Sequence, residues 1–175
     1  AVVAQHPSCG VCLMHMHADP QTMHAEHMAE AGTVLEVLTF LQQQTALLLR
    51  EGVKESRIVW DAGTGFGKSV AQNFLLLQQQ PQLMVDGYPL LAGWSRKGSI
   101  GKVTGRPVTE RMPGSVAAAL LSVEHGAAIF QTPVLFQSAE VLRQLQIVLA
   151  VDGGDVGAVK AGQKASFTVV AFRDR

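Results

Sequence analysis

Four short apolar runs, each followed by a stretch suited to a helix, constrain this chain more than any other feature. They are Val11–Met16, Ile58–Ala62, Tyr88–Trp94 and Ala127–Gln131. A short run that is apolar on both faces marks a parallel strand covered on both sides. After the first run, Thr33 to Arg50 sets Val34, Leu35, Leu38, Leu41 and Leu48 at helical spacing, which predicts a long amphipathic helix. Glu51-Gly52-Val53 closes it, with glycine just past the last turn. Ser69 is placed to cap a second helix, Val70 to Gln80, stopped by Pro81. A glycine-rich connection then leads to an alanine-dense helix from about Pro113 to Gly126, and Gln137 to about Ala150 reads as the last helix. Ala1 to Ser8 is expected to be the end of a further one. The expectation is an α/β fold with four βα units. Four such units are half of a (β/α)8 barrel, which typically takes about 250 residues. A small open sheet is the alternative, and a half-barrel would leave two exposed edges.

Composition narrows the class. At 175 residues the chain fits one domain with a real core, and 47% hydrophobic against 16% charged residues excludes a disordered protein. Fourteen basic residues balance fourteen acidic ones, so nothing suggests nucleic acid, and no apolar run of about 18 residues suggests a membrane span. The chain starts at Ala1 with no secretory signal and no initiating methionine, which suggests a fragment or a lost N-terminus. Cys9 and Cys12 form C-x-x-C, but there is no second pair and Cys12 lies in an apolar run. Two reduced structural cysteines in a cytoplasmic protein are expected, rather than a redox motif or a zinc half-site. Beyond Ala150 the pattern changes to a turn-rich break and then an alternating stretch, Lys164–Phe172. Residues 1–150 therefore read as one unit and 151–175 as a divergent tail.

The chemistry concentrates at the ends of the runs. Ile58 to Ser69 delivers one carboxylate, Asp61, to the carboxyl end of a strand, followed by Gly63, Gly65 and Gly67. In parallel α/β proteins ligands sit there, and glycines let backbone approach a flat or anionic ligand. A phosphate loop needs four residues between its glycines; Gly63 and Gly67 are separated by three, so that reading fails. Lys68 reads as a solvated residue at a helix start. Ser95-Arg96-Lys97 ends the third run in the same way. His15 and His17 have metal-ligand spacing, and the tail from Gly157 to Val170 faintly resembles a strand of amidohydrolases, so a zinc hydrolase is an alternative. No histidine ends the other three runs, which counts against it. His6, His24, His27 and His125 read as surface residues, and Met14, Met16 and Met23 as core or pocket packing.

Four segments, in order, resemble dihydropteroate synthase of folate biosynthesis. They are Val11–Met16 with Asp19-Pro20-Gln21-Thr22-Met23; Asp61-Ala62-Gly63-Thr64-Gly65-Phe66-Gly67-Lys68; Leu90–Lys97; and Arg111-Met112-Pro113-Gly114-Ser115 with its alanine-rich helix. The resemblance covers about Ala1 to Ala150 and implies strands five to eight of a TIM barrel. It implies condensation of p-aminobenzoate with a 6-hydroxymethyl-dihydropterin pyrophosphate, with magnesium help. Asp61 matches the carboxylate that binds the pterin's amino-pyrimidine edge, and Lys97 the lysine that donates to its acceptor atoms. These two are the expected catalytic pair. Met14, Phe66 and Gly93 match the walls of the pterin slot, and Ser95 and Arg96 the p-aminobenzoate side. Self-association through the late helices is expected from the same resemblance.

The sequence also departs from the family. An Arg-x-His that ends the eighth strand is replaced by Gln131-Thr132-Pro133; Ala62 stands for a proline and Thr64 for an apolar residue. Loss of a positioned anion donor can cost on the order of 2.7–4 kcal/mol of transition-state stabilisation. The family's first half, with its mobile loops and the asparagine near the metal, is expected outside this chain. The chain alone is therefore expected not to be a competent synthase. A degenerate half-barrel that binds a pterin, or only assembles, is the non-enzymatic alternative.

Overall fold

The parallel sheet grows strand by strand in chain order. The structure, a computed structural model, describes residues 2–17, 31–130 and 146–147. Strands β1 (Val11–Met14), β2 (Ile58–Asp61), β3 (Leu90–Ala92), β4 (Ile129–Phe130) and β5 (Gln146–Ile147) lie side by side in that order, each parallel to the next. The register pairs Met14 with Asp61, and Asp61 with Leu91. Helices α1 (Thr33–Arg50), α2 (Val70–Gln78), α3 (Gly98–Thr104) and α4 (Met112–Glu124) make the crossovers.

Period-two geometry divides the sheet. Ile58 and Trp60 turn to the helical layer and are buried, whereas Val59 and Asp61 face the other side and are half-buried. Against Ile58 and Trp60 pack Val34, Val37 and Leu41 of α1, Leu76 of α2, and Leu83 and Leu90. Trp60 is fully enclosed, stacks on Tyr88 at 4.7 Å between ring centroids, and donates its indole N–H to Thr45 Oγ1 at 2.8 Å. A second core joins Leu77, Ala92, Trp94, Ile100, Ala118, Ala127 and Phe130. Gly114 lets α4 approach α3, because a Cβ there would meet Ile100 at 2.6 Å.

Helix α1 spans the predicted residues, and Gly52 past its end is left-handed (φ 85°). Ser69 caps α2 in a capping box with Gln72. Elsewhere the structure corrects the reading. The strands are shorter: β1 ends at Met14, while β2 and β3 end at Asp61 and Ala92, where Gly63 and Gly93 take the chain out of the ladder. Pro81 does not stop α2, which ends at Gln78; it opens a 3-10 turn, Gln80–Met84, where a missing N–H is harmless. Val2–Gln5 is a 3-10 turn, not the end of a regular helix. The glycine-rich connection contains a whole helix, α3. Gln146–Ile147 pairs beside β4 as a fifth strand, which overturns a helix there; the β-branched Ile147 suits a strand. The remainder of that predicted helix, the Asp19–Met23 segment, Gln131-Thr132-Pro133 and the tail 151–175 lie outside the described residues.

Candidate active site at the carboxyl ends of the strands

Asp61 is the last residue of β2, and the chain turns directly into the glycine loop. Its Oδ1 accepts the Gly63 N–H at 2.7 Å, so the loop itself orients the carboxylate. Burial raises its pKa above the usual carboxylate range; the Gly63 N–H, Lys97 and Lys68 oppose that rise. Gly63, Gly65 and Gly67 all adopt positive φ. At Gly63 the requirement is also steric, since a methyl group would collide with the His15 carbonyl.

Lys97 comes from the turn between β3 and α3. Its aliphatic stem crosses Gly65, where a Cβ would stand 3.2 Å from Lys97 Cδ, and its ammonium sits 4.6 Å from the centre of the Phe66 ring. Half-burial lowers its pKa, opposed by Asp61. Asp61, Phe66 and Lys97 thus converge: a half-buried carboxylate, an aromatic face and a cation at one sheet end. Met14 pairs with Asp61 in the ladder on the neighbouring strand, and Gly93 is buried just past β3. Ser95 is half-buried beside them, while Arg96 is exposed.

Two residues of this site were not anticipated. Lys68 is not a solvated helix-start residue. It is buried at 7% exposure, and its ammonium donates to the carbonyls of Gly63 (2.9 Å), Phe66 (3.1 Å) and His15 (3.2 Å). It welds the loop to the end of β1. Burial lowers its pKa to about 8, against the pull of Asp61 and Glu36 and with a push from Lys97. Asn73 of α2, also buried, accepts the Gly65 N–H at 2.8 Å and donates to the Lys68 and Ser69 carbonyls and to Ser99 Oγ of α3 at 3.0 Å. It ties the Asp61 loop to the helix that follows Lys97. A signal did exist for Asn73: asparagine is unfavourable inside a helix unless its side chain has another task.

The histidine pair diverges. His15 is buried, packs edge-to-face on Phe40 at 5.1 Å, and has a pKa lowered to about 4 by burial, Lys68 and His17. His17 lies 3.7 Å from Glu36 instead. Among the described residues no group of three or more His, Cys, Asp or Glu is placed to hold a metal ion.

A carboxylate, an aromatic ring and a lysine at the carboxyl end of a parallel α/β sheet have the chemistry that suits a flat, polar-edged ligand. The chain belongs to the pterin binding enzyme family, which matches residues 1–132. It is similar to dihydropteroate synthase of Haemophilus influenzae, 43% identical over 136 residues, covering 78% of this chain and 49% of that protein. The dihydropteroate synthase of Stenotrophomonas maltophilia with active site-bound imidazole superposes with a TM-score of 0.70 at 38% identity, over 74% of this chain and 48% of that one. That of Xanthomonas albilineans with 4-aminobenzoic acid gives 0.64 at 42% identity, over 70% and 43%. The chain spans about half the length of the curated relatives it matches.

Proposed function

We propose that this chain supplies the pterin-binding side of a dihydropteroate synthase, with strands β1 to β4 corresponding to strands five to eight of a (β/α)8 barrel. The observation that carries the reading is the convergence of Asp61, Phe66 and Lys97. Asp61 accepts two parallel N–H bonds from the amino-pyrimidine edge of the pterin, as a carboxylate does from a guanidinium. Lys97 donates to the pterin's acceptor atoms. Phe66 and Met14 wall the ring, and Gly93 lets it approach the backbone. Ser95 and the exposed cation of Arg96 face p-aminobenzoate, whose carboxylate suits a guanidinium.

In the condensation the methylene–oxygen bond breaks and diphosphate leaves with the electron pair. The aromatic amine nitrogen forms the new bond to the methylene and releases one proton. Positioning supplies most of what these residues contribute. Magnesium does not fit this donor set. Asp61 is the carboxylate at the site, is held by the Gly63 N–H and is flanked by two lysines, and the described residues hold no ligand cluster. The ion's ligands belong to the half of the synthase outside this chain. Residues 1–150 form the unit and 151–175 a tail in this reading. Its location is the cytoplasm, consistent with the free thiols of Cys9 and Cys12. It pairs with a second copy through its late helices, where Val103, Leu120 and Leu121 are exposed.

One sequence observation favours binding without catalysis: Gln131 and Pro133 stand where the family's anion-gripping pair is expected. The two versions share one test. 6-Hydroxymethylpterin should raise the melting temperature of the wild-type protein, and Asp61→Ala should abolish the shift; an undiminished shift in the variant sinks the assigned site. Pteroate formation then separates the synthase from the binder.

A further inference from the structure

The segment Arg111–Ser115 is one of the four that mark this family, yet the substrate-binding roles above leave it unused. Its contacts converge on a single strained residue. Among the described residues, Arg96 alone of the non-glycines has positive φ (48°). A left-handed backbone crowds Cβ against the following carbonyl, so such a residue persists only where its surroundings hold it. Here both backbone groups of Arg96 are held from the start of α4. Its N–H donates to Ser115 Oγ at 2.9 Å, and its carbonyl accepts from Arg111 Nη1 at 3.2 Å. Ser115 is buried, and its hydroxyl donates in turn to the Arg111 carbonyl at 2.8 Å, which fixes the direction of its lone pairs. The Arg111 guanidinium reaches Arg96 by lying across Gly101 of α3, where any Cβ would collide with it.

The residue after Arg96 is Lys97, whose stem crosses Gly65 and whose ammonium faces Phe66. If residue 96 relaxed to negative φ, the chain would leave it in another direction, and Lys97 would leave that place. We propose that Ser115 and Arg111 are positioning residues for the ligand site: together they clamp Arg96 in its left-handed state and thereby aim Lys97 at Phe66 and Asp61. The identity of the ligand rests on the pterin reading above; the clamp itself rests only on the contacts around Arg96.

Glycine at 96 makes the proposal testable, because glycine adopts the left-handed state unaided. Ser115→Ala, Arg96→Gly and the double variant are compared in two measurements: the Kd for 6-hydroxymethylpterin, and the rate at which Lys97 is acetylated in a brief pulse, read by mass spectrometry. In Ser115→Ala the affinity should fall about tenfold, the size set by the left-handed cost of a non-glycine residue, and Lys97 should be acetylated faster. In the double variant both readings should return to those of Arg96→Gly. A general packing defect from the lost hydroxyl would persist in both backgrounds, so a double variant as impaired as Ser115→Ala overturns the clamp. Unchanged Lys97 acetylation in Ser115→Ala overturns it as well. If the wild type binds no pterin while acetylation follows the expected pattern, the pterin reading fails and the clamp stands. Should Ser115→Ala lose its circular dichroism, Arg111→Met removes the other half of the clamp and takes its place in the comparison.

Discussion

His15 shows how far a residue's role can lie from its spacing. Paired with His17 it reads as a metal ligand, but the strand ends at Met14 and the two rings part. His15 goes into the apolar layer against Phe40, where burial, the Lys68 ammonium and the neighbouring His17 all disfavour its protonated form. Its pKa falls from 6.5 to about 4, so the folded state binds this proton less readily than the unfolded one. Between those values the unfolded chain carries more protons, and stability must rise with pH. The contribution is present above pH 6.5 and is lost on acidification towards 4, on the order of 3 kcal/mol in all. Urea unfolding at pH 7 and at pH 4.5 should therefore show a steep loss for the wild type. His15→Phe, which keeps a ring but cannot titrate, should flatten it; an equal loss in both would mean that other groups cause the acid sensitivity. Nothing at the level of one residue announces this. A histidine's environment is decided by where its strand stops, and that depends on the partner strand.

At the scale of elements, legibility followed the strength of local physics. The bounds of helix α1 could be read to the residue because Val34, Leu38, Leu41 and Leu48 recur on the face that meets the core and a glycine marks its end; Leu35, read as part of that face, is instead 67% exposed. The start of helix α2 could be read from Ser69, but its end could not, since it stops at Gln78 before Pro81 is reached. Helix α3 could not, because seven residues with Gly98 and Gly101 inside and Gly105 after it carry the signature of a loop; it forms because Ile100 is buried against α4 and Ser99 meets Asn73. The glycine loop was recognised, but the two side chains that give it shape were not, since both act on backbone groups distant in sequence or fold. Asn73→Leu tests that assignment. It would orphan the Gly65 N–H and the Ser99 hydroxyl in a buried site, and each unsatisfied group costs roughly 1–3 kcal/mol. A loss of about 2–4 kcal/mol in urea unfolding is expected, together with weaker pterin affinity because Asp61 and Lys97 no longer share a fixed frame. A loss of stability with pterin affinity intact would make Asn73 a fold residue only.

For the whole molecule, the question is what the outer layer faces. Helix α4 presents small residues inward: Ser115, Ala118 and Ser122 are buried, and the Ser122 hydroxyl donates back to the Ala118 carbonyl. Its larger apolar residues point the other way, with Leu120 46% and Leu121 44% exposed, and Val103 of α3 64% exposed. Single exposed leucines need no explanation. Several on two successive helices suit a homodimer of isologous contacts, in which one patch meets its own copy. The small inward face matters to this argument. It lets α4 lie close to its neighbours while leaving the leucines free, which a helix patterned only for its own core would not do. The formal net charge of zero opposes such self-association little. Leu120→Lys with Leu121→Lys places two like charges in each copy of the patch, four across a two-fold interface. Light scattering should then report a dimer for the wild type and a monomer for the variant, with the melting temperature of the variant made independent of protein concentration. The same elution and mass for both proteins would remove α4 from the interface. Ser115 and Arg111 lie on the first turn of this helix and at its start. A dimer formed through α4 would therefore hold steady the element that clamps Arg96, and the monomeric variant should also acetylate Lys97 faster.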